Sequence, residues 1–297
     1  MAVNNTPSDK EKVVECLESS GATLTSAQQD WINDTTNTVK IKQMATYIKN
    51  IGCNDMSNII QDFIDNPSPN FNEYADQIIE CIELNKLTEN AYFTNAITNL
   101  KSDVDDEDQE KEKGYNMYKN NDVITITEVP IEDTGETYTN YTLTNSFFGG
   151  IHMHQENGLF PMFSATDIML LGQFNQIYSP FEYHQHEVIH VLVTTNGVYA
   201  IKIKNYNNLL GFVGAYNSDS RFKERVDLLS ERYFYKEVNN ITGANTQTST
   251  EYQNNFLKFV NQDFNLGITF FELSDDLQTW TKKTLDTNNN TVPTNCN

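Results

Sequence analysis

All five histidines of this 297-residue chain fall between His152 and His190, and they make two arrangements with the residue types of a metal site. The first is His152-Met153-His154, followed after nine residues by Ser164-Ala165-Thr166-Asp167. On a strand, alternate residues share a face, so imidazoles at i and i+2 project together, and a helix beginning at Ser164 returns Asp167 toward them. Two nitrogens and one carboxylate oxygen make a three-ligand zinc site whose fourth position stays open, as a catalytic site requires. Gly149 and Gly150, just before the histidines, permit close approach of backbone or substrate. The second arrangement is His186-Glu187-Val188-Ile189-His190, an HExxH match. That motif works on a helix, where i and i+4 share a face. Here it runs into VLVTTNGVYAIKIK, rich in β-branched residues, with Pro180 upstream. On a strand, i and i+4 lie about 13 Å apart and cannot share one ion. The His-x-His arrangement is therefore the expected metal site, and HEVIH is expected at the entry to a strand.

These residues need elements to carry them. The first hundred residues show helical apolar spacing in SDKEKVVECLESS, with Ser8 as cap, then in KIKQMATYIKNI, MSNIIQDFIDN and EYADQIIECIEL, interrupted by Asn66-Pro67-Ser68-Pro69-Asn70. SDVDDEDQEKEK is nearly all charge and reads as a linker. From Gly114 the period falls to two, through GYNMYK, VITITEV, TYTNYTLT and SFFGGIHMH. SATDIMLLGQFNQIY reads as a helix with Ser164 and Asp167 in capping-box positions. VIHVLVTTNGVYAIKIK reads as a hairpin turning at Asn196-Gly197 with type I′ chemistry. The remainder reads as helix, then a short LGITFFELS strand and a polar tail. The expected organisation is α+β: a helical module over 1–101, an acidic linker over 102–113, an α/β domain over 110–215, and a helical extension with a polar tail over 216–297.

Composition bounds the partners. With 20 Lys+Arg against 41 Asp+Glu, the net charge is −21, so the cationic surface that neutralises phosphate is missing. Nucleic acid and anionic membrane are poor partners, and a protein or peptide substrate is the better expectation. No window has the apolar length of a membrane span, and MAVNNTPSDKEKVVECL has no signal-peptide pattern. The expected location is cytoplasmic, or outside by a dedicated export system. Cys16, Cys53, Cys81 and Cys296 are scattered without a CxxC, and are read as buried or incidental thiols.

The pattern of an upstream glutamate, His-x-His, a spacer and Ser-x-x-Asp resembles the JAMM, or MPN-plus, zinc metalloproteases, over roughly residues 110–204. The run GxxHxH…MFSxxDI is similar to bacterial members. The resemblance implies a curved mixed sheet flanked by helices, with Zn²⁺ held by His152, His154 and Asp167. It also implies that Glu112 is the general acid/base and that Ser164 stabilises a developing oxyanion. Two features depart from the family pattern: the spacer is two residues longer than the common seven, and Gln155 replaces the usual proline.

Among Glu110, Glu112, Glu128, Glu132 and Glu136, the expected base is Glu112. It stands at the threshold of the first strand with a glycine close behind. Glu128, on VITITEV, is its rival, and Ser164 has an alternative role as a plain helix cap. The expected function is a zinc-dependent peptidase or isopeptidase hydrolysing an amide bond; the alternative is a catalytically silent MPN-like interaction module.

Overall fold

The computed structural model describes residues 8–19, 21, 23–51, 53, 56–65, 80–81, 83–104, 111–120, 123–130, 139–155, 161–178, 187–235 and 247–296. The chain divides into two compact units, Met1–Ile82 and Glu83–Asn297.

The first unit is helical: α1 (Asp9–Ser19), α2 (Ser26–Asn33), α3 (Thr38–Ile51) and α4 (Met56–Asp65). Ser8 caps α1, accepting from the Glu11 amide at 3.2 Å while the Glu11 carboxylate accepts from the Ser8 amide at 2.6 Å. Thr25 and Gln28 repeat this reciprocal cap on α2. The apolar stripes meet in one core of Val13, Leu17, Ile32, Ile41, Met44, Met56, Ile60 and Phe63. Cys16 and Cys53 are joined by a disulfide, and no described cysteine is a free thiol. This overturns the expectation of incidental thiols, because the pairing depends on α1 packing against α3 and not on cysteine spacing.

The second unit is built on one eight-stranded sheet in the order β2-β1-β3-β4-β5-β6-β7-β8. The strands are β1 (Gly114–Asn120), β2 (Val123–Glu128), β3 (Phe147–Met153), β4 (Ile189–Thr194), β5 (Gly197–Ile203), β6 (Ile268–Leu273), β7 (Trp280–Leu285) and β8 (Thr291–Asn295). Its helices include α5 (Ala91–Val104), α6 (Ala165–Tyr178), α7 (Tyr206–Ser218), α8 (Ser220–Phe234) and α9 (Ser249–Lys258). All strand pairs are antiparallel except β3–β4. That pair is parallel because α6 crosses over between them, and it reads as continuously buried, as parallel strands covered on both faces do.

The α6 face carries the main core, which includes Phe147, Phe163, Phe174, Leu192, Tyr199, Ile201, Phe256 and Phe270. Helix α5 covers the other face, with Phe93 against the fully buried Trp280. Phe147 and His152 are an odd number of residues apart, yet both reach the α6 face. The bulge opposite Met117 and Tyr118 absorbs the extra residue.

The mixed α+β class agrees with the sequence, but several boundaries do not. The division falls at Ile82/Glu83 instead of after residue 101, because the apolar stripe of α5 (Phe93, Ala96, Ile97, Leu100) packs onto the sheet. Most of the acidic run, 105–110, lies outside the described residues. Residues 216–297 are not a helical extension: β6, β7 and β8 continue the same sheet, and α8 and α9 complete the same core. The expected tail is thus two strands, which their Lys, Thr and Asn content concealed. TYTNYTLT is not a strand over 139–144, where the chain runs irregularly across the sheet. The β4–β5 turn centres on Thr195-Asn196, with Thr194 paired to Gly197. Neither turn residue has the positive φ that a type I′ turn needs. Among the described residues no helix is long and apolar enough to cross a membrane.

Candidate metal centre

The centre lies at the C-terminal end of β3, where the crossover to α6 begins. His152 occupies the penultimate position of β3, and His154 continues the line, its amide donating to the Val193 carbonyl at 2.9 Å. The antiparallel register of β1 and β3 pairs Gly114 with His152, and the Met153 amide donates to Lys113 at 3.1 Å. Two residues before Gly114 and two after His152, the same register sets Glu112 opposite His154. A side chain at residue 114 would prevent this approach, since a Cβ there would lie 2.5 Å from the Ile151 carbonyl oxygen.

Asp167 arrives from the other element. It sits in the first turn of α6, where helix N-termini favour negative charge. The Ser164 amide and hydroxyl donate to its Oδ2 at 2.7 and 2.8 Å, while the Asp167 amide donates to the Ser164 hydroxyl at 3.2 Å. The expected capping box is therefore present, and it aims the carboxylate.

Together these elements bring His152, His154 and Asp167 into one buried group whose ligand atoms lie within 4.8 Å of one another. The two Nε2 atoms face each other at 3.2 Å. His152 Nε2 is 3.4 Å from Asp167 Oδ1, and His154 Nε2 is 3.5 Å from Oδ2. A cation with ligand bonds of about 2.0–2.1 Å in tetrahedral geometry separates its ligands by about 3.3–3.4 Å. The separations between the two rings and between each ring and the carboxylate are of that size, the two histidines facing different oxygens of the one carboxylate. Two imidazole nitrogens 3.2 Å apart are joined either by the N–H of one ring or by a metal ion, and a set of two nitrogens and one carboxylate fits a zinc-type ion.

The electrostatics agree. Burial alone favours neutral His152, but the Asp167 carboxylate beside it, together with Glu112 and the Val191 backbone, outweighs burial and raises its pKa. Burial likewise disfavours the Asp167 anion, yet His152, His154 and His190 hold its pKa well below the usual carboxylate range. A potential that favours a proton on Nε2 also favours a metal cation there. Glu112, with its carboxylate 3.9 Å from His154 Nε2, behaves oppositely. Burial pushes its pKa up to about 7; His152 and the Thr139 amide act against this, and the charge of Asp167 adds to it.

All the expected site residues, Glu112, His152, His154, Ser164 and Asp167, meet at this point. Glu128 does not: it is exposed near the end of edge strand β2, opposite Tyr115. In the HExxH segment, His186 lies outside the described residues, and His190 is on β4, not on a helix. Glu187 forms an ion pair with Lys119 at 2.7 Å. Two site neighbours were not anticipated. His190, fully buried, stacks on His152 with ring centroids 4.6 Å apart, and Tyr141 reaches it from the segment before β3. Burial, reinforced by the nearby His152, pushes the His190 pKa down to about 3. The signal for His190 was its place in phase with Leu192 on a strand beside β3; Tyr141 had only Gly150 to announce it.

Searches of protein-family models, curated proteins and solved structures find no match to this chain.

Proposed function

We propose that this protein is a zinc-dependent hydrolase of amide bonds, of the JAMM or MPN-plus kind, acting on a protein or peptide. The observation that carries the reading is the convergence of the ligand atoms of His152, His154 and Asp167 within 4.8 Å of one another, with the half-buried Glu112 carboxyl 3.9 Å from His154 Nε2. The mixed sheet flanked by helices, with His-x-His at a strand end and Ser-x-x-Asp opening the next helix, supports the family reading.

In this reading His152 Nε2, His154 Nε2 and Asp167 hold the ion. Zinc supplies a Lewis acid that polarises the scissile carbonyl and brings the pKa of water from about 15.7 toward about 7. Glu112 moves the protons. Standing beside the ligands, it would take a proton from the attacking water and deliver it to the leaving amine nitrogen. Ser164 orients the ligand carboxylate. Its single hydroxyl proton is given to Asp167, so donation to an oxyanion requires that hydroxyl to rotate away. The Cys16–Cys53 disulfide supports the exported alternative for location, since reducing compartments rarely keep such bonds.

The test is metal analysis of the purified chain, paired with cleavage of peptide and isopeptide substrates. One zinc per chain and hydrolysis that Glu112→Gln removes are expected. A chain that keeps zinc but hydrolyses no amide would favour the silent interaction module, and a chain without metal would remove the reading.

A further inference from the structure

Behind the centre lies a histidine that this chemistry does not use. Both ring nitrogens of His190 are engaged: Nδ1 is 3.0 Å from the main-chain carbonyl oxygen of Asp167, and Nε2 is 3.1 Å from the Tyr141 hydroxyl. A carbonyl oxygen can only accept, so Nδ1 carries the proton and donates, which leaves Nε2 to accept from Tyr141. The same ring stacks on His152, with centroids 4.6 Å apart and planes at 28°. One side chain therefore touches the main chain of one ligand residue and the ring of another. Tyr141 is seated by the absence of a side chain at residue 150, where a Cβ would come within 2.4 Å of the tyrosine ring. Its ring packs edge-on against His190 at 5.7 Å and against Phe174 at 5.3 Å.

We propose that His190, oriented by Tyr141, is a positioning residue that fixes Asp167 and His152 relative to each other so that they can share one metal ion. The inference rests on the metal-centre reading above. The two ligands come from different elements, β3 and the first turn of α6, and are joined through the loop that follows His154. His190 stands on β4, which pairs with β3 in parallel register, and bridges the two ligands through a rigid ring. Its hydrogen bond fixes the peptide plane that follows Asp167, and its stack fixes the tilt of His152. Groups in this outer position typically change metal affinity by about 10–100-fold when removed.

A mere packing role and a positioning role differ in what each variant keeps. His190→Phe keeps a planar ring against His152 but offers no donor to Asp167 and no acceptor to Tyr141. His190→Asn loses the ring but keeps an N–H close to the position of Nδ1. The experiment is Co²⁺ titration of the metal-free full-length chain, read by the visible absorption bands of bound Co²⁺, with thermal melting of each metal-free form. The parent is expected to bind one Co²⁺ with tetrahedral-type bands. His190→Phe is expected to bind about 10–100-fold more weakly with shifted bands, and His190→Asn to recover part of the affinity. Tyr141→Phe should show a smaller loss in the same direction. Parent-like affinity and bands in His190→Phe would overturn the positioning role while leaving the metal centre in place. A parent that binds no Co²⁺ would instead overturn the centre itself, and the inference with it. If His190→Phe does not fold, Tyr141→Phe decides, because it deletes one hydroxyl only: unchanged affinity and bands there would overturn the proposal.

Discussion

Two histidine-bearing strands lie side by side in this sheet and have different fates. At the end of β3, His152 and His154 turn Nε2 atoms toward each other and toward Asp167. On β4, one strand away, His190 is equally buried but has an acceptor on one nitrogen and a hydroxyl donor on the other. The better-known motif belongs to the second strand, yet its glutamate is held by Lys119 and its last histidine by Asp167 and Tyr141. Whether a histidine can ligate is decided by which partners its nitrogens already have. The motif letters do not decide it, because the same letters on a strand point the residues apart.

The contrast is broken most severely at Asp167, the one group that serves both strands. Asp167→Ala should leave a folded chain by circular dichroism with almost no zinc by elemental analysis, since two neutral imidazoles alone make a poor site. Full zinc content in that variant would place the metal elsewhere. Next in size is the difference between the two glutamates. Glu112→Gln should retain zinc and lose roughly 10²–10⁴-fold in amide hydrolysis, the contribution expected of a positioned proton-transfer group. Glu187→Gln should retain both zinc and turnover, at some cost in stability from disturbing Lys119. The opposite ranking of these two variants in a cleavage assay would restore HEVIH as the working motif.

A smaller effect concerns pH. The Glu112 carboxyl rises from 4.5 to about 7 in the metal-free fold, so the folded state holds this proton more tightly than the unfolded state does. Its burial therefore costs nothing below about pH 4, and stability falls as pH rises between 4.5 and 7 and stays reduced above. In metal-free protein, Glu112→Gln should match the parent near pH 4 and exceed its unfolding free energy by up to about 3 kcal/mol at pH 8. Denaturant melts at the two pH values check this, and a constant difference would mean that Glu112 is solvated. Smallest is Gly150→Ala, whose methyl displaces the Tyr141 ring. We expect a loss of about 1–3 kcal/mol from overpacking, visible as a lower melting temperature, together with a modest fall in metal affinity.

How far the sequence revealed this arrangement depends on the kind of cause behind each part. His152, His154, Ser164 and Asp167 were legible because their relations are local: a strand period, a helix cap and a short crossover. Glu112 was legible once a strand was assigned to start at Gly114, since register does the rest. Tyr141 was read as part of a strand, and nothing local says that its segment crosses Gly150 instead of pairing. The role of His190 depends on β4 adopting parallel register with β3, which only tertiary structure sets. In the same way α5 looked like one more helix of the N-terminal module, because its apolar stripe does not say which surface it will cover. The strands β7 and β8 hid behind polar side chains at an edge where burial imposes little alternation.

The most direct test of the central claim is the anomalous signal of the zinc-loaded chain in a crystal, recorded on both sides of the zinc absorption edge. The account predicts a single peak about 2 Å from His152 Nε2, His154 Nε2 and an Asp167 carboxylate oxygen, with His190 unligated behind it. A peak bound by His190, His186 or Glu187, or no peak at His152 and His154, would contradict it.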